Sequence, residues 1–265
     1  MTMTNPPALQ LYTVREQLAG DRKGILARLA SFGYGAVEPF NILGDPEGLR
    51  ADLDAAGLLT CSVHATPSGE QAEPLLRAAR TLGARTIIVP YMPPARFTDR
   101  ASVQALASEL NELALRAADQ GLRLGYHNHD FELASIVDGR PALEVLAGAL
   151  DDPVDGGVDG GVLLEVDTYW AAVGGQDVSA LLGRLGDRVR YLHVKDGPMT
   201  REDPQTAVGA GRMPVAEILA AASSAEWHVV ELDQCATDMM TAVAESLAWL
   251  AAHGLAQPVA RRPGA

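Results

Sequence analysis

Val162-Leu163-Leu164-Glu165-Val166-Asp167-Thr168 is the stretch on which the fold turns. It reads as a buried strand, yet carboxylates stand near its carboxyl end, where a period of two puts Glu165 and Asp167 on one face. The next candidate strand closes the same way, Tyr191-Leu192-His193-Val194-Lys195-Asp196, and the one after it ends Val229-Val230-Glu231-Leu232-Asp233. His193 and Lys195 share a face, and so do Glu231 and Asp233. Successive strands with polar groups gathered at their last positions describe a sheet whose carboxyl ends form a site.

Working outward, short β-type runs alternate with amphipathic helical runs along the whole chain. Eight strands are predicted, at Leu9–Val14, Ala36–Phe40, Leu59–Ala65, Arg85–Tyr91, Arg123–His129, Val162–Thr168, Val189–Lys195 and Trp227–Asp233. Between them, Val103, Leu106, Leu110, Leu113 and Ala117 recur at helical spacing, as do Val178, Leu181, Leu182 and Leu185. Asp45-Pro46 is an N-cap followed by proline at the first helical position. Strands each followed by a helix close most simply into a (β/α)8 TIM barrel of one domain, with an open doubly wound sheet as the alternative. The barrel is expected over residues 1–255 and a flexible tail over 256–265. Gly156 to Gly161 reads as a loop before the sixth strand. Gly209-Ala210-Gly211 lacks a third glycine and is no dinucleotide fingerprint.

The chain has 265 residues, is 48% apolar and carries a formal charge of −13. That charge repels a phosphate backbone, so no nucleic-acid partner is expected. Cys61 and Cys235 lie far apart and outside any CxxC, so reduced thiols are expected. With no signal pattern at the start and no apolar run of membrane length, the expectation is a cytoplasmic protein free of membrane, with a homo-oligomer left open.

Burying unpaired ionisable groups at three strand ends would cost several kcal/mol each, roughly, so the cluster must neutralise a shared cation or itself. One divalent metal ion suits two or three carboxylates and an imidazole: Mn²⁺, Mg²⁺, Co²⁺ or Zn²⁺. The alternative is an internal salt-bridge network with Lys195 and His193 pairing to the acids. The fifth strand adds Tyr126-His127-Asn128-His129-Asp130-Phe131-Glu132, with His127 and His129 on one face and Glu132 where the chain must turn. Glu38 and His64 end earlier strands and are candidate substrate contacts or satisfied rim residues.

These residues together resemble the sugar phosphate isomerase/epimerase group of xylose-isomerase-like TIM barrels, over nearly the whole chain. The resemblance is carried by Leu9-Gln10-Leu11-Tyr12-Thr13-Val14-Arg15, Gly33-Tyr34-Gly35-Ala36-Val37-Glu38, Tyr126 to Glu132, Glu165-Val166-Asp167-Thr168-Tyr169-Trp170, Leu192-His193-Val194-Lys195-Asp196 and Val230-Glu231. It implies a metal held by Glu132, Asp167, His193 and Glu231. Many relatives carry a glutamate inside the fifth strand where this chain has His127, so either Glu132 reaches in from the turn or His127 ligates instead.

The chemistry expected is acidification of a carbon-bound hydrogen beside a ketose carbonyl, through an enediolate, giving a sugar isomerase or epimerase. Glu231 and Glu132 are the expected bases, Lys195 polarises a substrate oxygen, and His64, His127, His129 and Glu38 contact the small-molecule sugar substrate. The rival enzyme reading is a lyase or dehydratase acting on a keto-sugar, keto-glycoside or keto-inositol. A multi-metal phosphodiesterase would need a basic DNA face, and a non-catalytic sugar-binding barrel would keep the pocket but not the paired acids.

Overall fold

The computed structural model describes residues 5–153 and 160–259. Its barrel strands are β1 (Ala8–Gln10), β2 (Ala36–Glu38), β3 (in two pieces, Leu59–Thr60 and Val63–His64), β4 (Thr86–Val89), β5 (Arg123–His127), β6 (Val162–Asp167), β7 (Val189–Val194) and β8 (Trp227–Val230). All pair in parallel. The first piece of β3 pairs with β2 and the second with β4, and Phe40 bridges to His64, so the sheet closes on itself at the third strand. The strand pieces are nine, but the barrel positions are eight.

A helix follows each strand: α1 (Arg22–Phe32), α2 (Pro46–Ala56), α3 (Ala72–Thr81), α4 (Arg100–Asp119), α5 (Ala142–Ala147), α6 (Val178–Leu185), α7 (Val215–Ala221) and α8 (Met239–Ala252). The α2 cap is as expected, with Asp45 accepting from Gly48 N–H at 3.1 Å and Pro46 opening the helix. On α4, Val103, Leu106, Leu110, Leu113 and Ala117 all face the sheet and are buried. Among the described residues no helix is long and apolar enough to cross a membrane.

The pleat sorts each strand into two faces. Along β6, Val162, Leu164 and Val166 join the core between sheet and helices, while Leu163 packs inside the barrel with Ile88 and Tyr191. The inner face of the barrel is therefore apolar at mid-height, with Ala8, Ala36, Cys61 and Val229 filling the adjacent space. Below it, Arg123 bonds Glu226 through both terminal nitrogens at 2.8 Å and plugs the amino end. The carboxyl end is left for polar side chains.

Strand ends fall short of their predicted limits, for local reasons. The predicted Leu9–Val14 strand stops at Gln10, whose side-chain oxygen accepts from Tyr12 N–H and bends the chain into a 3-10 turn at Leu11–Val14. Pro90, without an N–H, ends β4. Asp167 ends β6 by capping the helix Thr168–Val173, accepting from Trp170 N–H at 2.9 Å. Of the predicted Gly156–Gly161 loop, residues 156–159 lie outside the described residues, as do 260–265 of the predicted tail. Val259 N–H donates to Gly33 O at 2.9 Å.

Candidate active site

β6 and β7 run in register, Glu165 beside Tyr191 and Asp167 beside His193, while β5 sets His127 beside Glu165. This stagger stacks the inward polar residues in two tiers. The lower tier holds Gln10, Glu38, Ser62, Glu165 and His193; the upper holds His64, His127, Asp167, Lys195, Glu231 and Asp233.

In the lower tier, Glu165 Oε2 lies 2.7 Å from His64 Nε2, 3.0 Å from His127 Nδ1 and 3.2 Å from His193 Nε2. Glu165 Oε1 is buried without a hydrogen-bond partner among the described residues. Burial alone would raise the Glu165 carboxyl, but the charges of His193 and His64 outweigh it and hold the group well below the usual carboxylate range. Burial likewise pulls His64 down, and Glu38 with Glu165 overcomes it, so His64 is pushed up to about 10. His127 goes the other way, held well below its ordinary value by desolvation.

Lys195 sits at the centre of the upper tier, 1% exposed, with Nζ 2.7 Å from Glu231 Oε2, 2.7 Å from Asp233 Oδ2 and 2.9 Å from Asp167 Oδ2. Burial opposes its charge, but the three carboxylates raise it well above its ordinary value. Glu231 is held well below the carboxylate range against burial by Lys195 and His193. Asp167 is pushed up, because burial exceeds what Lys195 returns. Its Oδ2 is close to the ammonium yet receives no well-directed hydrogen bond among the described residues.

Above these tiers opens a pocket of ≈ 390 Å³ whose floor is His64, His127, Lys195, Glu231 and Asp233. Tyr12 and Phe40 form one wall, edge to face at 5.3 Å, and Tyr91 with His129 forms another. Trp170 covers Lys195, its ring 5.6 Å from Nζ. Asn41, in the left-handed region at φ 51, also lines the pocket.

The predicted residues separate on this geometry. Asp167, His193, Lys195 and Glu231 converge, and His64, His127 and His129 line the pocket. Glu38 does not line it; fully buried, it lies beneath His193. Glu132 is not brought into the cluster either: Tyr126 OH donates to its Oε1 at 2.8 Å and His129 N–H to its Oε2 at 2.9 Å. Tyr126 lies on the outer face of β5, packed toward Phe97, so Glu132 is drawn away from the barrel axis. Sequence reasoning gave no site role to Tyr12, Phe40, Asn41, Tyr91 and Trp170, and placed Glu165 and Asp233 on the right faces without assigning either a role. Tyr12 and Asn41 carry no periodic signal, since both lie on turns past strand ends.

Residues 26–253 match the profile of the xylose isomerase-like TIM barrel family. The chain belongs to that family. An inosose dehydratase of Geobacillus kaustophilus (strain HTA426) is 26% identical over 197 residues, 65% of this chain, and the match spans 61% of that relative's length. The crystal structure of a sugar phosphate isomerase/epimerase from Parabacteroides distasonis ATCC 8503 superposes with a TM-score of 0.79 at 23% identity, over 95% of each chain. A xylose isomerase-like TIM barrel protein from Mycobacterium smegmatis, in complex with magnesium, superposes with a TM-score of 0.68 at 14% identity, over 95% of this chain and 97% of its own. Members of this xylose isomerase-like barrel family include isomerases, epimerases and dehydratases.

Proposed function

We propose that this xylose isomerase-like barrel is a divalent-metal-dependent sugar isomerase or epimerase that removes a proton beside the carbonyl of a small ketose. The observation that carries the reading is Glu231 on the pocket floor, 2.7 Å from the Lys195 ammonium and 2.7 Å from His193 Nδ1. A carboxylate so placed is a base with its charge already compensated, and Lys195 beside it is a donor for the substrate oxygen on which negative charge develops.

The donor set fits a divalent cation. Ligand atoms of His127, Asp167, His193 and Glu231 all lie within 4.8 Å of one another, and Asp167 Oδ2 and Glu165 Oε1 are buried acceptors without a directed donor among the described residues. Two imidazoles and two carboxylates suit Mn²⁺, Mg²⁺, Co²⁺ or Zn²⁺. When bound, the cation supplies electrophilic polarisation of a substrate carbonyl. With both Glu132 oxygens taken by Tyr126 and His129, His127 is the fourth ligand in this reading. His64 and His129 hold substrate hydroxyls, and the aromatic walls exclude water.

A second reading is a lyase or dehydratase on a keto-sugar or keto-inositol. It draws support from Glu132 standing outside the pocket, which leaves Glu231 without the expected carboxylate on the opposite face. The similarity to an inosose dehydratase points the same way. One experiment decides between them. Ketoses, their phosphates and keto-inositols are incubated with the Mn²⁺-loaded protein in deuterated water and followed by NMR. Exchange of one carbon-bound hydrogen with recovery of an isomer supports the first reading; net loss of water supports the second; no exchange with any substrate removes both.

A further inference from the structure

We propose that Glu38 is a positioning residue that fixes the tautomer of His193 and thereby dictates that this imidazole meets a cation through Nδ1. The inference rests on the metal-dependent reading above.

Glu38 is 0% exposed, and a carboxylate at that depth persists only if its oxygens are satisfied. They are, and by groups that are themselves pinned. Gln10, beside Glu38 in the β1–β2 register, donates Nε2–H to Glu38 Oε2 at 2.7 Å. Gln10 cannot flip, because its Oε1 already accepts from Tyr12 N–H at 3.0 Å. Ser62 OH donates to Glu38 Oε1. The carboxylate is thus a fixed acceptor beneath His193, whose Nε2 stands 2.7 Å from Glu38 Oε2.

A neutral imidazole carries one N–H and one lone pair. Without a cation His193 can hold both ring protons, since Nδ1 also faces a carboxylate, but a ring that ligates a cation gives one up; with Nε2 against Glu38 and Glu165 the proton it keeps is there, and the lone pair falls to Nδ1. Nδ1 points the other way, 2.7 Å from Glu231 Oε2 and toward the upper-tier donors. A histidine that ligates a metal through one nitrogen while donating the other N–H to a carboxylate has its orientation and basicity set by that carboxylate. Glu165 stands to His127 in the mirrored sense: Nδ1 is 3.0 Å from Glu165 Oε2, and Nε2 turns toward Asp167 Oδ2 at 3.9 Å. The competing geometry puts the cation lower, among His64, His127, Glu165 and His193, with His193 ligating through Nε2.

The test uses the full chain labelled with ¹⁵N-histidine, stripped with chelator and reloaded with ¹¹³Cd²⁺, and long-range ¹H–¹⁵N spectra that assign each ring nitrogen. The expected result is cadmium coupling at Nδ1 of His193 with Nε2 protonated. Mn²⁺ affinity, measured by calorimetry, should weaken roughly 10–100-fold in Glu38→Gln. That variant keeps an oxygen able to accept from Nε2–H, so coupling should stay at Nδ1. Glu38→Ala should lose more affinity and mix the tautomers; if it fails to fold by circular dichroism, Glu38→Gln and Gln10→Ala carry the comparison. Coupling at Nε2 in the unmodified protein overturns this inference while leaving metal dependence standing. Unchanged Mn²⁺ affinity in a folded Glu38→Ala protein also overturns it, and no binding of either metal removes both readings.

Discussion

Glu231 and Asp167 share one ammonium, yet their environments hold them in opposite ways. Lys195 and His193 keep Glu231 ionised in spite of burial, whereas burial pushes Asp167 up. Glu231 is therefore held in the ionised form that a base requires, and Asp167 is an acceptor short of positive charge. Glu231→Gln should leave substrate binding in place and lower hydrogen exchange by about 10²–10⁴-fold, read by NMR in deuterated water. Asp167→Asn should instead lower metal content, read by elemental analysis after dialysis; full metal content in that variant favours the salt-bridge network. Glu132 separates reasoning by residue type from geometry. The period of a strand fixes which face a residue takes only while the strand lasts, and β5 ends at His127. That is why the convergence of Asp167, His193, Lys195 and Glu231 was legible and the direction of the Glu132 side chain was not. Glu132→Gln should preserve exchange within a few-fold and lower stability by ~1–3 kcal/mol, because a buried acceptor is exchanged for a partial donor. A collapse of exchange matching that of Glu231→Gln would return Glu132 to the chemistry.

At the level of elements, strand number and order were legible because each strand brings its own apolar run, whereas strand ends depended on single side chains such as Gln10 and Asp167. The loop from Gly197 to Met213 shows how much one side chain can organise. Asp196, next to Lys195, accepts from Gly197 N–H at 2.8 Å and Met213 N–H at 3.0 Å through Oδ1, and from Gly209 and Gly211 N–H at 2.9 and 3.1 Å through Oδ2. The Gly209-Ala210-Gly211 pair thus wraps a carboxylate of the chain itself. A Cβ at Gly211 would stand 2.1 Å from Asp196 Oδ1, so that close approach requires glycine. The same loop supplies Gln205, which donates to Asp233 Oδ2 at 3.1 Å and accepts from Asp233 N–H at 2.8 Å beside Lys195. Asp196→Asn turns an amide N–H toward donors, and a cost of at least ~2 kcal/mol in urea denaturation is expected. The loop should also become sensitive to limited proteolysis, and exchange activity should fall although no pocket side chain has changed. Unaltered proteolysis would mean that the loop is held by other contacts.

For the whole molecule, one buried base outside the pocket gives stability a pH dependence that can be isolated. His228 lies on β8; both ring nitrogens are buried without a hydrogen-bond partner among the described residues, though the side chain is not wholly covered. Desolvation lowers it from 6.5 to about 4. Above pH 6.5 the ring is neutral in both folded and unfolded chains, and the term is zero. Between pH 6.5 and about 4 the unfolded chain binds a proton that the folded chain refuses, so stability falls as pH falls, by on the order of 3 kcal/mol across that window. Carboxylates held low by ion pairs lose stability in an overlapping range, so the wild-type curve alone does not report His228. The difference from His228→Leu does. Leucine cannot titrate and leaves no orphaned nitrogen, so the variant's unfolding free energy, measured by urea denaturation from pH 4 to 7.5, should fall less steeply below pH 6.5. The two curves should run parallel above it. Curves parallel over the whole range would show that the folded ring takes up a proton as readily as the unfolded one, and that water reaches its nitrogens.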